Sequence, residues 1–240
     1  MEGNMDSIMR AKIAAAEAAV RYVEDGMIVG LGTGSTAEIF VRKLCERIKR
    51  EGISISGVTT SRKTSILAEE MGIKIIEIDK ETEIDLTVDG ADEVAPDLTL
   101  IKGMGGALLW EKIVAKMSRK VYIVVDYTKR VRFLGEKSPL PVEIVPYGWK
   151  KTQSVLENMF GCTAEIRKKN GSIFLSDSGN YILDCRFQKI ENPEKIEKEI
   201  KGITGVVESG LFCKLATKVL IGKDDGKVDE VNMGKQLDYL

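Results

Sequence analysis

Short apolar runs alternate with longer striped segments through the first half of the chain. Residues 6–23, DSIMRAKIAAAEAAVRYV, space their alanines and other apolar positions at helical intervals and predict a helix ending near Asp25-Gly26. Residues 27–31 form a continuous apolar run, the pattern of a buried strand. A glycine-rich loop follows, and Ile39, Phe40, Leu44 and Ile48 then stripe one face of a helix over 37–50. The same reading predicts strands at 53–58, 74–78, 84–88, 98–101 and 121–125, and helices at 62–71 and 107–118. Strands alternating with helices point to a parallel, doubly wound, Rossmann-like sheet.

The texture changes where Pro139, Pro141 and Pro146 cluster. Beyond them the pattern predicts strand 142–145, helix 149–159, strands 163–167 and 181–186, a turn over 176–180, helix 193–201 and strand 206–209. The order βαββαβ is that of a smaller ferredoxin-like α+β unit. A last apolar run, 218–221, is expected to return to the first sheet. The expected division is therefore 1–137 plus 210–240 for the larger domain and 138–209 for the smaller.

The 240 residues are enough to bury a substantial core. Thirty-six basic against thirty-seven acidic residues leave a net charge of −1, so no basic face calls for nucleic acid. No apolar run reaches membrane-span length and no hydrophobic signal core opens the chain, so no membrane partner and a cytoplasmic location are expected. Cys45, Cys162, Cys185 and Cys213 are scattered without metal-ligand spacing and are expected to be free thiols. The chain has no histidine. Histidine-based triads and histidine-ligated metals are thereby excluded, and acid–base work falls to carboxylate, lysine, cysteine or tyrosine.

Chemistry concentrates at the ends of the expected strands. The loop Thr33-Gly34-Ser35-Thr36 between a strand and a helix has the form of a phosphate site, since glycines let backbone N–H groups approach an anion. Ser35 stands where a dinucleotide fingerprint has its third glycine, and no acid ends the next strand, so NAD is not expected. That strand ends instead in Thr59-Thr60-Ser61, hydroxyls that suit a phosphate or sugar. Ser35-Thr36-Ala37-Glu38 also has the form of a capping box. Asp89-Gly90-Ala91-Asp92-Glu93 follows the strand at 84–88, and Lys102-Gly103-Met104-Gly105-Gly106 opens the helix that carries Glu111. A lysine, free N–H groups and carboxylates would meet there in one cleft, parts that suit an anionic substrate and proton transfer. Asp126-Tyr127-Thr128-Lys129 is a further polar strand end. Asp89, Asp92 and Glu93 have the composition of a metal site as well, but no metal and no cofactor is expected.

Taken in order, GLGTGSTA, VDGADEV, KGMGGALLWEK, the polar strand end at 126–129, PLPVEIVP and GVVESGLF resemble the type A ribose-5-phosphate isomerases over nearly the whole chain. Two positions depart from that pattern: Met104 stands where the family usually has glycine, and Trp110 where an arginine commonly precedes the glutamate. The resemblance implies interconversion of ribose 5-phosphate and ribulose 5-phosphate in the non-oxidative pentose phosphate pathway, without metal or organic cofactor. It places Thr33, Gly34, Ser35, Thr36, Asp89, Gly90, Ala91, Asp92, Lys102, Gly103, Met104, Gly105 and Lys129 on the substrate. It makes Glu111 the proton acceptor and implies a homodimer or homotetramer. The chemistry of the residues themselves suits Lys102, or the backbone N–H groups of the glycine turn, to stabilise the enediolate oxygen, and Asp89 or Asp92 to take a hydroxyl proton during ring opening. A sugar-phosphate deaminase, a CoA transferase and a sugar-phosphate sensor without turnover are the alternatives; the complete set Asp89, Asp92, Lys102 and Glu111 argues against the sensor.

Overall fold

The computed structural model describes residues 2–234, with side chains from residue 6 onward. Met1 and the 235–240 end of the expected second segment lie outside the described residues. In chain order the elements begin with α1 (Glu2–Val20), β1 (Ile28–Leu31), α2 (Ser35–Glu51), β2 (Ser56–Thr59), α3 (Arg62–Glu70) and β3 (Lys74–Ile75). Next come β4 (Leu86–Asp89), β5 (Glu93–Val94), β6 (Leu100–Ile101), α4 (Leu108–Lys116), β7 (Val121–Asp126) and a 3₁₀ turn over Tyr127–Lys129. The smaller unit contains β8 (Leu140–Ile144), α5 (Trp149–Phe160), β9 (Thr163–Ile166), β10 (Lys168–Lys169), β11 (Ser172–Ile173), β12 (Tyr181–Arg186), α6 (Pro193–Lys201) and β13 (Val206–Ser209). The chain then adds β14 (Leu211–Phe212), β15 (Lys218–Gly222) and β16 (Val228–Asn232).

The large sheet has the order β16-β15-β7-β4-β1-β2-β3, parallel except for the antiparallel edge strand β16. Its central strands are buried almost throughout, which is why they read as continuous apolar runs rather than alternating ones. The second sheet, β13-β8-β12-β9, is wholly antiparallel and has the strand order of the ferredoxin-like βαββαβ motif. The fold is thus α/β with a second, smaller α+β sheet, as the pattern predicted.

Close packing explains the small residues. Ala11, Ala15, Ala16 and Ala19 of α1 are fully buried. The backbone of α1 lies so near β15 that a Cβ on Gly222 would stand 1.8 Å from the Ala11 carbonyl oxygen. Helix α2 buries Ala37, Phe40, Val41, Leu44 and Cys45 on one face and ends at Gly52, whose left-handed conformation lets its N–H reach the Ile48 carbonyl. Arg47 of α2 donates to the carbonyls of Val20 and Val23, closing the end of α1.

Several expected elements are shorter or shifted. Only Lys74–Ile75 of the run 74–78 pairs, at the sheet edge, and the strand expected at 53–58 pairs over Ser56–Thr59. The run at 98–101 pairs over Leu100–Ile101 alone, because Leu98 takes a positive φ of 65°. The capping box does not form. Gly34 precedes α2 without a side-chain cap, the Ser35 hydroxyl accepts from Lys12, and Glu38 pairs with Lys63.

Candidate active site

Strand β4 ends in Asp89, which is 2% exposed. Its Oδ1 accepts the N–H groups of Thr33 (2.9 Å) and Gly90 (2.7 Å), so one carboxylate joins the glycine loop to the strand end. The loop passes so close that a Cβ on Gly32 would lie 2.5 Å from the Asp89 Cα, a distance only glycine permits. Asp89 Oδ2 stands 3.0 Å from Lys102 Nζ. That ammonium also donates to the Gly90 carbonyl and lies 3.3 Å from Glu111 Oε2. Asp89, Lys102 and Glu111, widely separated in sequence, form one buried cluster.

Glu111 is in the first turn of α4 and is 3% exposed. Its Oε2 is within ion-pair distance of Lys102 but receives no well-directed hydrogen bond. Burial raises its pKa to about 8, against the pull of Lys102 and with the added push of Asp89 and Asp92. Burial opposes the charge on Lys102, but Asp89 and Glu111 outweigh it and hold the ammonium above its ordinary pKa. The cluster therefore pairs a fixed cation with a carboxylate that exchanges a proton near neutrality.

Above the cluster lies a cavity of about 110 Å³, lined by Thr33, Gly34, Ser35, Thr36, Gly90, Ala91, Asp92, Lys102, Gly103, Gly105, Glu111, Lys129 and also Lys12 and Val125. Of the predicted residues, Asp89 sits beneath this lining and Met104 beside it. Met104 is 42% exposed and donates its N–H to Asp92 Oδ2. The glycines that need a positive φ in this turn are Gly103 (102°) and Gly106 (86°), so a side chain at 104 is accommodated. Trp110, the other departure, donates its indole N–H to Ser178 of the smaller unit.

The first N–H groups of α2 have no acceptor within the helix and border the cavity at Ser35 and Thr36. Lys12 of α1 reaches the same place, 3.0 Å from the Ser35 hydroxyl, and Lys129 faces it from the end of β7. Lys12 was missed by sequence reasoning. It lies on a helix read as packing, and only its position in space marks it. The hydroxyls after β2 have a different role from the one expected. Thr60, Ser61 and Thr64 are buried and bond the Thr33 hydroxyl at 2.7, 2.8 and 3.2 Å, bracing the loop from behind. Glu93 is likewise turned away, its carboxylate accepting the N–H groups of Gly135, Lys137 and Ser138. Among the described residues no group of three or more histidine, cysteine or acidic side chains has the arrangement of a metal site.

Comparison with known proteins agrees with this architecture. The family model for ribose 5-phosphate isomerase A (phosphoriboisomerase A) matches residues 56–226. A ribose-5-phosphate isomerase A from Ruegeria pomeroyi is 45% identical over 242 residues, covering 98% of this chain and 92% of its own. The solved ribose 5-phosphate isomerase from Plasmodium falciparum superposes with a TM-score of 0.91 at 37% identity, over 95% of this chain and 99% of that one. A D-ribose-5-phosphate isomerase solved with phospho-erythronic acid gives a TM-score of 0.88 at 41% identity, over 92% and 97%. On these matches, the chain belongs to the ribose 5-phosphate isomerase A family.

Proposed function

We propose that this protein interconverts ribose 5-phosphate and ribulose 5-phosphate through an enediolate, with Glu111 as the one group that takes and returns the carbon-bound proton. The observation that carries this reading is the Glu111 carboxylate itself: buried, without a hydrogen bond to Oε2, beside a permanent ammonium and on the wall of the cavity. The phosphate is assigned to the start of α2, between Lys12 and Lys129. The sugar then extends toward Lys102 and Glu111. Glu111 removes the proton from C2, and negative charge develops on the C1 oxygen, where Lys102 and the backbone N–H groups of the glycine turn stabilise it. The protonated Glu111 returns the proton to C1, and a hydroxyl proton moves from O2 to O1, giving the ketose. Ring opening draws on the aspartate pair: Asp92 faces the cavity, and Asp89 holds Lys102 in place. Phospho-erythronic acid fits the same scheme, its planar carboxylate standing in for the enediolate oxygens.

The test is Glu111→Gln, assayed for ketose formation and for deuterium uptake at C2 in heavy water. Ribose 5-phosphate affinity is expected to persist while both rates fall at least ~10²-fold, the lower range for loss of a general base. Near-normal deuterium uptake would assign the base to another group.

Three further assignments belong to this reading. The larger catalytic domain comprises 1–137 plus 210–240 and the smaller domain 138–209, a division favoured by the return of β15 to the large sheet. The working form is a homodimer or homotetramer, for which Tyr147, 94% exposed beside Val145 and Ile203, supplies an apolar contact surface; sedimentation measures it. The location is cytoplasmic, in keeping with four unpaired thiols. No described helix is long and apolar enough to cross a membrane.

A further inference from the structure

Residues of the smaller unit reach into the glycine turn. Arg167, just after β9, holds the carboxylate of Asp184 on β12 with a two-pronged contact, Nε to Oδ2 at 2.9 Å and Nη2 to Oδ1. Its remaining nitrogen, Nη1, donates to the carbonyls of Gly103 (2.8 Å) and Met104 (3.1 Å). The Gly103–Met104 peptide is held from both sides, because its N–H is bound by Asp92 Oδ2. The next peptide is held on one side only. Its carbonyl, of Met104, faces Arg167, and in a trans peptide the N–H points the opposite way. That N–H belongs to Gly105, which lines the cavity and donates to no acceptor among the described residues. The ring of Phe174 closes the other side of the turn, where a Cβ on Gly106 would lie 2.4 Å from it.

We infer that Arg167, anchored by Asp184, is a positioning residue for the isomerisation: it turns the Met104–Gly105 peptide so that the Gly105 N–H is presented to the developing enediolate oxygen. The planar guanidinium grips the Asp184 carboxylate with two nitrogens while the third reaches the two carbonyls from another side; a lysine ammonium, whose three donors share one nitrogen, cannot make the two-pronged contact and span that distance together. This assignment rests on the isomerase reading, and one experiment separates the two.

The experiment compares the wild type with Arg167→Lys and Arg167→Met in steady-state kinetics, across pH, and in binding of phospho-erythronic acid and of inorganic phosphate. Arg167→Lys keeps the charge beside Asp184 and guards against loss of fold. In both variants kcat is expected to fall on the order of 10- to 100-fold, less than outright removal of an oxyanion donor. Phospho-erythronic acid should weaken by a similar factor, because its carboxylate occupies the place of the enediolate. Inorganic phosphate affinity and the midpoint of the pH profile should stay unchanged, since α2 and Glu111 are untouched. Full kcat in Arg167→Lys would show that the pair with Asp184 is only structural and would overturn the inference. So would parallel weakening of inorganic phosphate and phospho-erythronic acid. A wild type that forms no ketose would instead overturn the isomerase reading.

Discussion

Lys102 and Lys112 both lie close to the ring of Phe212, their ammoniums 5.4 and 4.9 Å from its centroid. Each is almost fully buried and stands between two carboxylates. Their surroundings differ in how completely they are satisfied. Lys112 uses its three N–H groups on Glu197 (2.6 Å), Glu208 (3.0 Å) and the Ser209 carbonyl (2.8 Å). Burial pushes the Glu208 carboxyl up, but Lys112, Lys201 and the Ser209 N–H outweigh it and hold its pKa below the usual value. Around Lys102 the balance is left incomplete: Glu111 keeps an oxygen without a hydrogen bond and a raised pKa. The same ingredients give a fastening at Lys112 and, around its neighbour Glu111, a cluster left incompletely bonded. The difference lies in hydrogen-bond saturation rather than in charge.

Three measurements break or sharpen this contrast. Lys112→Met should have the largest effect on stability, about 3–5 kcal/mol, because it leaves Glu208 buried with fewer partners. Urea unfolding measures it, and the folded fraction should keep turnover within a few-fold of wild type. An unchanged midpoint would show that the fastening contributes nothing. Lys102→Met should reverse the pattern, lowering kcat ~10²–10³-fold as expected for a lost oxyanion donor. Its stability loss should be smaller than that of Lys112→Met, since Glu111 can take up a proton once the cation is gone. A rise in KM alone would make Lys102 a uniform binding contact.

The third effect is spread over pH and amounts to no more than about 1.4 kcal/mol per pH unit for one group. Glu111 has a folded pKa raised above its ordinary value. Its contribution is therefore full below the unfolded pKa and is lost as pH rises toward about 8. Glu208 is lowered, so its contribution is full above the unfolded pKa and is lost as pH falls through the folded one. Melting curves of Glu111→Gln against wild type should diverge in the variant's favour as pH rises from acid to about 8. Those of Glu208→Gln should diverge in the wild type's favour across the acid range. The same ionisation predicts that kcat/KM climbs with pH until Glu111 is fully charged. Parallel slopes in the two variants would remove the distinction.

What could be read from sequence follows the range of the interactions. Asp89 and Lys102 were legible because each sits at a strand end, where local pattern places polar groups at one sheet edge; Glu111 was singled out by the family resemblance rather than by its spacing. Lys12 was not legible, since nothing in an alanine-rich helix says that its one lysine meets a distant loop. The clamp at Arg167 was hidden for the same reason. The hairpin β10–β11 beside it carried a signal that went unused: Asn170-Gly171, both at positive φ, is a turn pair that favours a tight hairpin. The capping box failed as a guide because its serine and glutamate found partners from other helices, Lys12 and Lys63.

The position of β15 has a consequence for synthesis on the ribosome. This strand inserts between β7 and β16, yet it leaves the ribosome roughly ninety residues after β7. At about 5–20 residues per second, the six buried residues of β7 wait several seconds with one edge unpaired. During that interval the nascent sheet presents an open, apolar edge to its neighbours on the polysome. The smaller unit, made entirely within the same interval, is free to fold first, so that Arg167 and Asp184 are assembled before the strand that closes the large sheet arrives.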